Sequence, residues 1–145
     1  ALGIQWHVMA MFAPSFFTGF LIKRFGAQNI AISGLVIIVA AAVAATLGLT
    51  ATHFYGSLII LGIGWNFGFI GGTAMLEAAV GEREKAAVQG ANDTIIACVS
   101  TLCAFAAGFV VSSVGWVILA IIAGCIVVLS LAALCFDWVL SARTQ

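Results

Sequence analysis

The chain has 145 residues, of which 64% are hydrophobic and 7% are charged, and its formal net charge is zero. Soluble domains carry about 25% charged residues because their surface faces water. So low a charge content predicts a surface that faces lipid, and the lack of a basic run excludes nucleic acid as a partner.

The cysteines lie inside apolar stretches, with no C-x-x-C pair and no histidine at metal-ligand spacing. We therefore expect small apolar side chains in helix packing, with no metal site and no cofactor. The four residues are Cys98, Cys103, Cys125 and Cys135.

Five apolar stretches follow one another along the chain, each close to the length of about 20 residues that a membrane-crossing helix needs. In chain order, stretches A to E cover residues 2–22, 30–49, 54–80, 92–111 and 116–134. Backbone polar groups in lipid need partners within their own segment, so each stretch is predicted to be helical. The sequence thus predicts an all-α, polytopic membrane protein. We expect residues 1–145 to form one domain, and the start at Ala1 rather than Met suggests a fragment of a larger transporter.

The basic residues predict an orientation. Lys23 and Arg24 lie between A and B, Arg83 and Lys85 lie between C and D, and Arg143 follows E. Short loops around residues 51–53 and 112–115 have no Lys or Arg. Five crossings put all the basic residues on one side, which the positive-inside rule assigns to the cytoplasm together with the C-terminus.

Amide, imidazole and carboxylate side chains, which are unfavourable in lipid, are confined to A, C and D. Stretches B and E carry little beyond short hydroxyl groups. Polar side chains at membrane depth usually face protein or a watery cavity. We therefore expect A, C and D to turn inward and B and E to lie outermost. The polar residues concerned are Gln5, His7, Asn66, Glu77, Asn92 and Asp93.

Stretch A contains the only proline, Pro14, near its middle. Proline removes one backbone hydrogen bond and predicts a kink. His7, Met11, Ser15 and Thr18 share one helix face at spacings of four, four and three. That face either packs against another helix or lines a cavity, and the sequence leaves both open.

Stretch C repeats a glycine at every fourth position, Gly64, Gly68 and Gly72, which predicts close approach of another helix. A second stripe, with Asn66 and Thr73, lies about 200° around the helix from these glycines.

Asn66 is the first candidate for contact with a substrate, and the alternative is a hydrogen bond between helices. Trp65 beside it either stacks on a flat ligand or fills a gap.

In stretch D, Asn92 and Asp93 are predicted to lie in the first helical turn, where an acidic side chain can cap free N–H groups. The alternative is that Asp93 pairs with Lys23, Arg24 or Arg83 at the cytoplasmic rim.

Residues 19–26, Gly-Phe-Leu-Ile-Lys-Arg-Phe-Gly, resemble the G-x-x-x-D-R-x-G loop of major facilitator superfamily (MFS) transporters. Gly19, Arg24 and Gly26 match, while Lys23 stands in place of the aspartate. Residues 64–67, 71–73 and 88–93 are also similar to a bacterial branch of this superfamily. The resemblance implies that A to E correspond to the eighth to twelfth helices of a twelve-helix transporter, with B and E at the periphery.

The resemblance further implies part of a permease of the cell inner membrane that moves a small solute by alternating access, with proton coupling left open. Its implied partners are the lipid bilayer, the N-terminal half of the transporter and the solute. The candidates for lining the solute path are Gln5, His7, Trp65, Asn66 and Thr73. Those for the cytoplasmic gate are Gly19, Arg24, Gly26, Asn92 and Asp93.

A membrane subunit or scaffold that docks a partner without transporting remains the alternative. An intramembrane enzyme is not expected, because no matched nucleophile and base stand out beside His7.

Overall fold

A computed structural model describes residues 2–48 and 50–143 of the chain, with side chains up to residue 139. In chain order the helices are α1 Leu2–Phe12, α2 Ser15–Phe25, α3 Ala27–Thr46, α4 Ala51–Ala79, α5 Lys85–Val114 and α6 Trp116–Arg143. The described residues contain no strand, so the all-α prediction is confirmed. The C-terminal residue Gln145, predicted to lie in the cytoplasm, and the end of stretch B at Leu49 fall outside the described residues.

Five segments of the described chain are long and apolar enough to cross a membrane. The first of them, Leu2–Phe25, combines α1 and α2, and each of the other four corresponds to one helix. This confirms the predicted polytopic bundle.

Pro14 interrupts the helical hydrogen-bond ladder of the first span, in agreement with the predicted kink. α1 ends at Phe12 and α2 begins at Ser15. Proline has no amide hydrogen, and the helical ladder resumes where Phe17 and Thr18 donate to the Pro14 carbonyl at 2.8 and 2.9 Å. The first span therefore consists of two helical segments joined at residues 13–14, where the backbone ladder is incomplete.

Two single glycines connect consecutive helices. Gly26 separates α2 from α3 with φ +87°, and Gly115 separates α5 from α6 with φ +89°. Their amides donate to the carbonyls of Ile22 and Val111. Glycine has no Cβ to clash at positive φ, so the chain can leave one helix and begin the next at once. The predicted loop at residues 112–115 is thereby reduced to Gly115.

The other predicted outer loop is also shorter than expected. Residues 51–53 form the first turn of α4, and the Thr50 hydroxyl caps it by accepting a hydrogen bond from the His53 amide at 3.4 Å. A threonine at this position satisfies a backbone donor that would otherwise have no partner.

Helix α5 begins at Lys85, seven residues before the predicted start at Asn92. Residues 85–91 are mostly good helix formers, so the helix extends beyond the apolar stretch. Asn92 and Asp93 therefore do not lie in the first turn, and the capping interpretation is wrong. Lys85 instead forms an ion pair with Glu82 at 2.6 Å beside the helix start.

Burial within the described residues does not follow the polarity order of the five stretches, whereas their layering in the membrane stays a prediction. Helix α3, from the outermost-predicted stretch B, contributes five buried residues, whereas α5 contributes none among the described residues. The buried residues of α3 are Ile30, Ala31, Gly34, Ala41 and Ala45. They are mostly small, so α4 can pack closely on this face, and burial here follows backbone approach rather than polarity.

The cysteines do not pack inside this chain either. Cys98, Cys103 and Cys125 are exposed and Cys135 is half-buried, and all four are free thiols. Among the described residues, no group of three His, Cys, Asp or Glu side chains could hold a metal ion.

Candidate functional site

Four groups meet where the first span is broken, and we call them the Asn66 cluster: the Met11 carbonyl, Ser15, Thr18 and Asn66. Asn66 and Thr18 are only 1% and 0% exposed. The Thr18 hydroxyl donates to Asn66 Oδ1 at 2.7 Å and has the Pro14 carbonyl as a second acceptor at 2.9 Å. Asn66 Nδ2 donates to the Met11 carbonyl and to Ser15 Oγ, both at 2.7 Å. The amide of Asn66 thus uses both its N–H groups and its oxygen.

The cluster lies on both sides of the break. In an unbroken helix, the Met11 carbonyl would accept from the Ser15 amide, but here it accepts from Asn66 Nδ2. Ser15 and Thr18 belong to α2, so one side chain from α4 joins the end of α1 to the start of α2.

His7 forms a second polar contact between α1 and α4. Its Nδ1 lies 2.7 Å from the Leu58 carbonyl oxygen. Since a carbonyl oxygen can only accept, Nδ1 carries the proton in this bond. The predicted face of His7, Met11, Ser15 and Thr18 therefore meets α4, as the packing alternative for the Pro14 kink requires.

The other polar candidates for the solute path stand apart from the cluster. Gln5 is exposed on α1 and Thr73 is half-buried on α4. In the described part of the chain, neither side chain bonds to Asn66 or His7. The structure thus brings together His7 and Asn66 along one helix pair and leaves Gln5 and Thr73 outside it.

Trp65 stacks on Phe69 one turn along α4. Their ring centroids are 4.7 Å apart and the ring planes differ by 8°. Both side chains are half-buried and border a cleft of about 480 Å³ between α3, α4, α5 and α6. Other residues of the cleft include Gly68, Gly72, Met75, Ile96 and Leu134. This arrangement offers a flat aromatic surface beside an apolar space.

The glycine contacts of α4 follow a different register from the predicted one. A Cβ on Gly64 would lie 2.8 Å from the Ile38 side chain, and one on Gly71 would lie 2.7 Å from the Ala31 amide. Gly72 is exposed, and a Cβ there would meet nothing within 4 Å. Four residues overshoot one turn of 3.6, so a stripe of every fourth residue drifts around the helix, and Gly71 replaces Gly72 at the contact.

The predicted gate loop adopts the conformation that its last glycine allows. Gly26 has positive φ, as described above, and Gly19 lies within α2 with open space around it. Arg24 is exposed, with its guanidinium carbon 5.3 Å from the centroid of the Phe25 ring. The loop is therefore a tight helix-to-helix joint with its basic residues at the surface.

Asn92 and Asp93 do not join that loop. Asn92 is half-buried, while Asp93 is exposed and accepts a hydrogen bond from Gln89 Nε2 at 2.8 Å in its own helix. Within the described residues, Asp93 forms no ion pair with Lys23, Arg24 or Arg83.

Sequence reasoning missed two features. The sequence indicates Thr18 and Ser15 only as members of a helix face, although both bond to Asn66. Gln89 is not among the predicted site residues, yet its Oε1 is the buried side-chain atom that lacks a hydrogen-bond partner among the described residues. Its spacing of three from Asn92, on the same helix face, was the available signal.

Comparison with known proteins gives three related transporters. The chain is 54% identical over 116 residues to the Riboflavin transporter RfnT of Brucella anthropi, covering 80% of this chain and 29% of that protein. It is 34% identical over 125 residues to the Uncharacterized MFS-type transporter YdeG of Bacillus subtilis, covering 85% of this chain and 29% of the relative. It is also 34% identical over 122 residues to the Uncharacterized MFS-type transporter YddS of Bacillus subtilis, covering 83% and 28% respectively. No family model matches the chain, and no solved structure matches it significantly.

Five membrane-crossing segments and these relatives define an integral membrane protein of the transporter class. The chain belongs to the MFS-type transporters, as the loop of residues 19–26 indicated, and it corresponds to a C-terminal segment of a bacterial member. It spans less than a third of the length of the curated relatives that it matches.

Proposed function

We propose that this chain forms part of a secondary active transporter that moves a small solute across the bacterial inner membrane by alternating access. Its five spans would be the eighth to twelfth helices, with the C-terminus in the cytoplasm. The N-terminal half would supply the opposite wall of the solute path, since the relatives are more than three times longer than the matched part. The observation that carries the proposal is the 54% identity over 80% of the chain to a transporter.

The substrate class that we propose is a flat heteroaromatic solute, with riboflavin as the first one to test. The printed substrate of the Brucella relative supports this, and so does the stacked pair of Trp65 and Phe69 beside an apolar cleft. A flat ring system gains from offset stacking on such a surface. The side chains of Gln5 and Thr73 form no hydrogen bond among the described residues, and they are our polar candidates for contact with the solute.

The residues of the cytoplasmic gate belong to the same proposal. The open space around Gly19 would let a helix of the N-terminal half approach α2 closely, Gly26 would form the tight joint to α3, and the exposed Arg24 could meet an acidic partner. Asn92 and Asp93 lie on α5, from which the gate would receive its polar groups.

A segment exchange tests this function. In the Brucella riboflavin transporter, the matching segment would be replaced by this chain, and riboflavin uptake would be measured in cells that cannot synthesise the vitamin. We expect the chimera to take up riboflavin, and we expect unlabelled riboflavin to compete with this uptake. The matched control is the unexchanged transporter at equal membrane abundance, determined by immunoblot. A chimera that reaches that abundance but takes up neither riboflavin nor another flat heteroaromatic solute would overturn the substrate class.

A further inference from the structure

Helix α1 is held against α4 along its whole length. A Cβ on Gly3 would lie 2.8 Å from the Tyr55 ring, and one on Gly62 would lie 2.7 Å from the His7 carbonyl. Between these two contacts along α4, the Leu58 carbonyl accepts a hydrogen bond from His7 Nδ1 at 2.7 Å. Because the two helices approach closely and also share this part-buried hydrogen bond, α1 has little freedom to move relative to α4.

Helix α2 is held differently. Thr18 is its last residue with a hydrogen bond to α4, and a Cβ on Gly19 would meet nothing within 4 Å. Phe16 and Phe20 are 88% and 63% exposed. The second half of the broken span is thus far less constrained by α4 than the first half.

We propose that Asn66 is a positioning residue for transport: it sets the angle of the break at Pro14, so that α1 stays with α4 while α2 turns. The proposal rests on the transport function proposed above. It differs from solute contact, because Asn66 is 1% exposed and its amide hydrogens are already donated within the protein.

The physical basis is the missing amide hydrogen of Pro14. Without that ladder bond, the angle between α1 and α2 is poorly fixed by the backbone itself. Asn66 replaces the lost constraint with bonds to the Met11 carbonyl on one side and to Ser15 and Thr18 on the other, each 2.7 Å long. Turning α2 requires the Ser15 and Thr18 bonds to lengthen, whereas the Met11 bond can persist.

Distances between spin labels test the geometry without any transport measurement. In the whole polypeptide in which this sequence occurs, with Cys98, Cys103, Cys125 and Cys135 replaced by alanine, one label pair would be placed at Lys23→Cys and Glu77→Cys. A second pair would be placed at Ile4→Cys and Phe54→Cys. The first pair reports α2 against α4, and the second reports α1 against α4.

Thr18→Val removes the hydroxyl at nearly constant volume, and Thr18→Ser retains it. We expect Thr18→Val and Asn66→Leu to broaden or shift the Lys23–Glu77 distance distribution while the Ile4–Phe54 distribution stays unchanged. Thr18→Ser should preserve both distributions. Thr101→Val is the matched control, because the exposed Thr101 hydroxyl bonds, among the described residues, only to the Ala97 carbonyl of its own helix. Equal changes in both label pairs, or no change in either, would overturn the proposal.

Kinetics separate positioning from solute contact. We expect Thr18→Val and Asn66→Leu to lower kcat for riboflavin by about 3- to 10-fold, the range for one or two lost interhelical bonds, with KM unchanged and rescue by Thr18→Ser. A raised KM at constant kcat would assign Asn66 to the solute instead. If the unsubstituted protein transports no flat solute, the proposed function fails, while the label distances still decide whether Asn66 positions α2.

Discussion

Thr18 and Asn66 lie 48 positions apart in the sequence and share a 2.7 Å hydrogen bond at a point where neither side chain is more than 1% exposed. The hydroxyl supplies the donor that the amide oxygen requires, and the amide hydrogens satisfy groups on either side of the break. The hydrogen-bonding groups of the Asn66 amide thus find their partners within this chain, as a polar side chain at membrane depth requires.

The contact between α3 and α4 depends on Gly34. A Cβ at this position would lie 2.2 Å from the Gly68 amide nitrogen and 2.7 Å from the Gly64 carbonyl oxygen, both backbone atoms that cannot rotate away. We expect Gly34→Ala to destabilise the protein by about 1–3 kcal/mol through overpacking, measured as thermal unfolding in detergent. Gly56→Ala is the control, since a Cβ there meets nothing within 4 Å, and it should be neutral or stabilise the helix by up to about 1 kcal/mol. Equal stability of the two variants would contradict this packing.

The joint between α2 and α3 depends on Gly26, with φ +87° and ψ +149°. This combination is essentially restricted to glycine, so Gly26→Ala should cost about 1–3 kcal/mol. The comparison is Gly19→Ala, which adds the same methyl group in open space within α2. Unfolding temperatures in the same detergent give the difference, and a Gly26→Ala protein as stable as Gly19→Ala would show that the joint tolerates a side chain.

The number of spans could be predicted from the sequence because lipid imposes a minimum length and near-complete apolarity on each of them. Helix ends were less predictable. Residues 85–91, which include Lys85 and Gln89, lie outside the predicted apolar stretch but are helical, since helix formation depends on backbone propensity and not on apolarity alone. An apolar stretch therefore predicts that a span exists, but the helix can begin several residues before that stretch.

The partners of the polar residues could not be predicted either. Asn66 is conspicuous in the sequence because a polar amide is unfavourable in lipid. Its hydrogen bond with Thr18, however, depends on how the chain bends at Pro14, which no local pattern specifies. Likewise, α3 contacts α4 at Gly71 rather than at Gly72, and a small rotation of α4 would exchange the two glycines. Candidate residues were therefore visible in the sequence, whereas their pairing was set by tertiary packing.

Orientation in the membrane can be tested at two connections. With the native cysteines replaced, Thr50→Cys, before α4, should react with a membrane-impermeant maleimide in intact cells. Glu82→Cys, between α4 and α5, should react only after the cells are opened. The expectation follows from the basic residues Arg83 and Lys85 on the Glu82 side, which favour the cytoplasm. Labelling of Glu82→Cys but not of Thr50→Cys in intact cells would show that the orientation is opposite to the predicted one.

The aromatic pair on α4 gives the most direct test of the substrate class. Trp65 presents its ring beside the cleft and is stacked on Phe69 at 4.7 Å, so a flat solute would extend that stack. We expect Trp65→Leu to raise KM for riboflavin by about 2- to 10-fold, as for the loss of one aromatic contact, and Trp65→Phe to retain most of the affinity. Trp138→Leu in α6 makes the same change at a half-exposed position outside the cleft and should leave KM unaltered at equal membrane abundance. If Trp65→Leu and Trp138→Leu gave the same KM as the unsubstituted protein, the solute would have to bind elsewhere, and the pair would serve only to fill space between helices.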